Sequence, residues 1–314
     1  MVQDVVLRGS DSYGGRVPSA PVGHLLTLMP EVVRQCVSMA FQRRSKARGR
    51  PPQWLVAASD LRVLKISGKA ETTVRFDLPR LGEAAPDAYE QSEFWPSRPE
   101  PEDTGFDLLG DVLSDVSVGK EDSERFDQNL LWSVAGLRHV LDGSFDEVRV
   151  SGRRYPIDSP AVIDAVTISA AEELYSKTPA PTRVRLVGVL DALRISTRTF
   201  ALRLDDGNEV RGVLSAGDFS RVLDAFGMKL RVLVRGDAVF RPSGQLLLVD
   251  ADDVTLAADE SPIWSRLPQG LAGDALQPGL HRRQTHTSGL AAIVGRWPGS
   301  ESDEEIEAAL KELR

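Results

Sequence analysis

At 314 residues the chain is long enough for two folded domains with tails. Hydrophobic residues make up 41% and charged residues 27%, an ordinary globular balance, and no apolar run approaches the roughly 20 residues that span a membrane. A net charge of −8 excludes a surface that embraces nucleic acid over its whole area, while it leaves room for a local basic site and suits a basic protein partner.

The opening MVQDVVLRGSDSYGG carries Asp4 and no long apolar core, unlike a secretory leader. The single cysteine, Cys36, rules out an internal disulfide framework. Both point to a cytoplasmic protein.

Residues 1–81 read as an α/β segment. DVVLRG is a short strand. Leu25, Leu28, Met29, Val32, Val33, Cys36, Val37 and residues 39–41 recur near a period of 3.6, which predicts a helix over 22–44. Pro30 is expected to break that helix, with the regular part starting there. LRVLKISGKAETTVRFDL alternates on either side of Ser67-Gly68-Lys69, the pattern of a β-hairpin.

Residues 82–104 are rich in Pro and Glu and have no period, so they read as an acidic linker. Residues 105–180 read as mostly helical. Thr104 or Asp103 caps a helix in GFDLLGDVLSDV, and Asp122 or Ser123 opens another through Phe126, Leu130, Leu131, Val134, Leu137 and Leu141. FDEVRV is a short strand that RRYPID is expected to pair with. Ser159-Pro160 opens a helix over AVIDAVTISAAEELYSK.

Residues 181–257 alternate throughout. RVRLVGVLDAL, TFALRLDDG and NEVRGVLS are strands, the last two joined by Asp206-Gly207-Asn208. A short amphipathic helix follows over 216–226, then two strands around Pro242-Ser243-Gly244. A helix between the third and fourth of five strands is the layout of an OB-fold. The segment resembles that family in VRLVGVL, LDDG, VLVRGDA and QLLLVDADDV, over about 75 residues. The expected class is therefore α+β, with an N-terminal α/β part and an OB-like barrel. Residues 258–289 are rich in Gly and Pro and read as a flexible tether to a C-terminal helix.

Chemical motifs are sparse. The chain has no Gly-x-Gly-x-x-Gly, no phosphate-binding loop, no Gly-x-Ser-x-Gly and no His-Glu-x-x-His. His24 and His139 fall on helices, and His281 and His286 lie in the tether without cysteine or carboxylate neighbours, so no metal is expected. Cys36 lies on the apolar side of its helix and reads as an inert core thiol. The acidic pairs are explained by turns, strand ends and helix capping. These features predict a non-enzymatic binding protein without cofactor.

Two stretches are left as binding candidates. QRRSKARGR places Arg43, Arg44, Lys46, Arg48 and Arg50 together without an acid, a pattern that grips phosphates or that simply solvates the loop after a helix. With the OB-like barrel, that supports binding of single-stranded nucleic acid.

The other stretch is AAIVGRWPGSESDEEIEAALKELR. Ser302 and Glu305 form a capping box, and Asp303 and Glu304 sit where the helix dipole favours negative charge. Ile306, Ala309, Leu310 and Leu313 fall at i, i+3, i+4 and i+7 as one narrow apolar stripe. Ile293, Val294 and Trp297 form a second apolar set ahead of a Pro-Gly bend. A helix of about a dozen residues is marginal alone in water, so the stripe calls for a partner surface or for docking on its own chain.

This stretch resembles the toxin-binding tails of bacterial type II antitoxins that accompany PIN-domain ribonucleases. The resemblance implies a partner nuclease, and a basic residue, Arg296 or Arg314, inserted at its acidic metal site. The chain departs from that family in size and in lacking a recognisable operator-binding motif.

Overall fold

A computed structural model of the chain describes residues 1–47, 49–90, 98–215, 219–257 and 266–270. The chain divides into two units, Met1–Gly273 and Asp274–Arg314, and every described residue belongs to the first. Arg48 lies outside the described residues, as do Ile293, Val294, Arg296, Trp297, Ile306, Ala309, Leu310, Leu313 and Arg314, and all of the tether except 266–270.

The first lobe begins with β1 (Val2–Arg8), then α1 (Ser19–Gln42), α2 (Gln53–Ala58), β2 (Arg62–Ser67) and β3 (Thr72–Asp77). It continues with α3 (Leu81–Ala84), α4 (Asp87–Glu90), α5 (Gly105–Ser117) and α6 (Gln128–Ala135), then β4 (Glu147–Val150), β5 (Ala161–Asp164) and α7 (Ala165–Lys177). The five strands form a sheet in the order β2-β3-β1-β4-β5. Every neighbouring pair is antiparallel, so this lobe is α+β rather than the α/β arrangement the helix–strand alternation suggests. Val5 and Leu7 of β1, Val74 and Phe76 of β3 and Val148 and Val150 of β4 alternate inward, and share one core with α1, α5, α6 and α7.

Helix α1 runs unbroken through Pro30. A proline inside a helix costs about 3 kcal/mol. Burial of Leu25, Met29, Val32, Val33, Cys36 and Val37, at roughly 1.5–3 kcal/mol each for the larger side chains, outweighs that. The helix stops where Arg43 turns into the left-handed region at φ 60° and donates its N–H to the Met39 carbonyl.

Of residues 82–104, the described stretches 82–90 and 98–104 pack on the first lobe. Leu81, Ala85 and Ala88 are buried in the core, and Tyr89 meets the Phe41 ring edge-on at 5.9 Å. The backbone of the following turn closes on α3: Leu81 N–H donates to the Asp103 carbonyl and Gly82 N–H to that of Pro101, both at 2.8 Å. Thr104 caps α5 as expected, in a capping box whose Asp107 carboxylate accepts the Thr104 N–H at 2.8 Å.

Two helix starts move from where local pattern puts them. The α6 cap is Asp127, not Asp122 or Ser123. Its carboxylate accepts Leu130 N–H at 2.9 Å, while the Ser123 hydroxyl is tied to Asp115 at 2.7 Å. The residues Ala161–Asp164, read as helix, instead form β5 against β4, and Asp164 caps α7 through Thr167 N–H at 2.8 Å. Tertiary pairing takes the β-branched Val162 and Ile163 as strand. RRYPID is not β4's partner, because Arg153 and Arg154 are drawn to acids on and before α5.

The second lobe holds β6 (Thr182–Arg194), β7 (Thr199–Leu204), β8 (Glu209–Leu214), α8 (Phe219–Gly227), β9 (Arg231–Phe240) and β10 (Leu246–Leu256). The strands close into a five-stranded barrel, β6-β7-β8-β10-β9 and back to β6, in which only β8 and β10 run parallel. Leu186, Phe200, Leu202, Leu214, Val232 and Val249 fill it, with Val222 and Ala225 of α8 sharing the same core. The β7–β8 turn uses Gly207 at φ 85°, and the Asp206 carboxylate accepts Asn208 N–H at 2.9 Å. None of the described helices is long and apolar enough to cross a membrane.

Candidate functional site

The two lobes meet along the outside of β8 and β10. Val213, Leu247 and Leu248 of the barrel are buried in the core of the first lobe. Charged pairs frame this apolar contact. Arg44, 8% exposed, donates to Asp250 at 2.8 Å and to the Ser215 hydroxyl. Its neighbour Arg43 takes a different acid, Glu124, at 3.1 Å. The left-handed backbone at Arg43 separates the two side chains.

Glu124 is a meeting point. Its Oε2 receives Arg43 and also Arg211 of β8 at 3.2 Å, and its Oε1 receives Arg241 of the β9–β10 loop at 2.8 Å. Arg241 also donates to the Asp122 carbonyl at 3.2 Å. Three guanidiniums from two lobes thus share one carboxylate. Burial pushes the Arg43 pKa down, Glu124 opposes this, and the facing cations Arg211, Arg241 and Arg125 push it down further. Arg44 is likewise lowered by burial, with Asp250 opposing.

Arg43, Glu124 and Arg241 of this cluster line one end of a cleft of about 550 Å³ that Cys36, Met39, Ala40, Leu108 and Val112 also line. The other end is acidic and tightly paired. Asp103 meets Arg153 at 2.7 Å and Arg154 at 3.3 Å, and Arg154 also grips Asp111 bidentately at 2.9 and 2.8 Å. Asp115 takes Arg125 at 3.0 Å and Lys120 at 3.5 Å. The Tyr155 hydroxyl donates to Asp111 at 2.9 Å, and its pKa is pushed up to about 12, first by burial and then by that carboxylate. In the lining, burial raises the Cys36 thiol, with Asp111 adding to the effect, so the sulfur stays protonated.

The basic run expected to grip phosphate as one strip is therefore divided. Arg44 turns inward to Asp250 of the second lobe, Arg43 pairs with Glu124 of its own lobe, and Lys46 and Arg50 are exposed. His24 and His139 do come together, with Nδ1 of His24 at 3.0 Å from the His139 carbonyl and the rings 5.6 Å apart. Among the described residues no group of three or more His, Cys, Asp or Glu is placed to hold a metal. Glu124, Arg211, Arg241, Asp111 and Arg154 are the site residues that sequence reasoning missed. No local spacing marks them, since each partner comes from a distant element.

Arg44→Ala is expected to lower stability by about 2–3 kcal/mol in urea unfolding, because it leaves the half-buried Asp250 carboxylate without its guanidinium and with the Ser215 hydroxyl as donor. Arg44→Lys should recover part of that loss. A change below about 0.5 kcal/mol for the alanine would show that the apolar contact alone holds the lobes.

Compared with family models, curated proteins and solved structures, the chain has no match.

Proposed function

We propose that the protein is a non-enzymatic, antitoxin-like binding protein whose segment from about residue 290 captures and neutralises a partner nuclease of the PIN-domain type. The observation that carries this reading is the residue pattern Trp297-Pro298-Gly299 followed by the capping box and the stripe Ile306, Ala309, Leu310 and Leu313. An aromatic anchor ahead of a short striped helix is a helix-in-groove recognition pattern. The acidity of the segment is largely accounted for by capping and dipole preferences, so the apolar residues specify the partner and the charges specify the helix. Arg296 or Arg314 then meets the acidic metal site of the nuclease.

Binding of single-stranded nucleic acid is the second reading, and the barrel's connection order, that of an OB-fold, favours it. The loops such barrels use for ligands are partly engaged here. In the β6–β7 loop Ser196 and Thr197 border a cavity of about 390 Å³ with Trp54, Ala84 and Ala88 of the first lobe. In the β9–β10 loop Ser243 N–H donates to the Glu121 carbonyl, and Arg241 reaches Glu124. That engagement favours the tail as the principal binding element.

Co-expression of the chain with a nuclease encoded beside its gene tests the proposal. The full chain should retain the nuclease in a pull-down, and a chain lacking residues 288–314 should bind it roughly a thousandfold more weakly or worse, from loss of four large apolar contacts. Undiminished capture by the truncated chain would reject the tail as the binding element. Fluorescence anisotropy with labelled single strands at low salt checks the second reading.

A further inference from the structure

We propose that the basic end of the cleft, where Arg43, Arg211 and Arg241 converge on Glu124, binds a phosphate-type dianion, either free or as the phosphoryl group of a nucleotide. The site goes beyond the tail's role and does not depend on it.

Three elements bring the arginines to Glu124: the close of α1, strand β8 and the β9–β10 loop. The guanidiniums reach Glu124 at 3.1, 3.2 and 2.8 Å. Arg43 and Arg241 line the cleft and are only 19% and 17% exposed, so charge interactions there are less screened than at the surface. The planar fork of Arg matches phosphate oxygens two at a time. Nε of Arg241 is buried and has no hydrogen-bond partner. The charge on Arg43 is resisted by burial, supported by Glu124 and resisted by the cations facing it, and a dianion in the cleft offsets the repulsion among those cations.

The acids elsewhere in the cleft do not oppose such a ligand strongly. Asp103, Asp111 and Asp115 are held by Arg153, Arg154, Arg125 and Lys120, Glu100 is held by Arg153, and Asp122 is exposed. The cleft's volume falls within the range of small-molecule sites and exceeds what one phosphate needs, which leaves space for a nucleoside.

The competing account is that the cluster only fastens the lobes. Thermal unfolding of the full chain separates the two. Inorganic phosphate, pyrophosphate, adenosine diphosphate and a ten-nucleotide single strand are compared with sodium chloride at matched ionic strength. At least one small anion should raise the unfolding temperature by about 3–6 °C at ten times its Kd. Arg241→Ala should abolish the rise, Arg241→Lys should weaken the Kd about tenfold, and Arg75→Ala, on the outer face of the sheet, should leave it intact. If Arg241→Ala does not fold, Arg241→Lys carries the comparison. The proposal fails if no small anion acts beyond chloride, if the rise survives undiminished in the Arg241 variant that folds, or if only the single strand acts. A larger effect of the diphosphate nucleotide than of pyrophosphate identifies a nucleotide as the source of the phosphoryl group.

Discussion

Asp127→Ala is expected to destabilise the protein by about 4 kcal/mol, read as a lowered midpoint in urea unfolding with an unchanged slope. The carboxylate is 3% exposed and accepts three hydrogen bonds. Leu130 N–H at 2.9 Å makes it the cap of α6, and Ser45 donates both its N–H, at 2.8 Å, and its hydroxyl, at 2.7 Å. Loss of a cap costs about 1 kcal/mol, and each buried donor left without an acceptor costs about 1–3 kcal/mol. Ser45 directly follows Arg43 and Arg44, so Asp127 also fixes the stretch of chain that aims both arginines. Asp127→Asn should lose roughly half as much, because one acceptor oxygen remains while the amide faces N–H donors. A loss below about 1 kcal/mol for the alanine would mean that water replaces the carboxylate and that the node is not structural.

The elements that sequence pattern predicts well are those specified within a few residues of themselves. The apolar period of α1, the alternation of β6 to β10, the Asp206-Gly207-Asn208 turn and the Thr104 cap all carry their cause locally. Failures occur where distant partners decide. Pro30 is tolerated because the core on both sides of it is buried. The strand β5 exists because β4 offers it an edge, and residues 98–104 are held by α3 and by Arg153. The cleft is the extreme case: Arg241 and Glu124 are 117 residues apart and Arg44 and Asp250 are 206 apart. A run of cations is visible in sequence, but the backbone geometry at Arg43 that splits it is not.

Barrel closure gives the second large effect. Gly236→Ala is expected to cost about 3 kcal/mol or more, or to prevent folding of the second lobe. A Cβ at Gly236 would lie 2.2 Å from the Asp250 carbonyl oxygen and 2.7 Å from Cα of Ala251, both backbone atoms of β10. Strand β9 cannot slide away to make room, because its other edge is paired with β6, where Val184 stands opposite Gly236. Relief would have to come from β10, and Asp250 there receives Arg44 from the first lobe. The substitution should therefore weaken the contact between the lobes as well as the barrel, and reduce the additional effect of Arg44→Ala when the two changes are combined. Gly15→Ala is the control: a Cβ there meets nothing within 4 Å, and the change should stay within about 0.5 kcal/mol. Equal, small effects at both positions would show that β10 is free to shift, and strict additivity with Arg44→Ala would show that the barrel and the contact between the lobes fold independently.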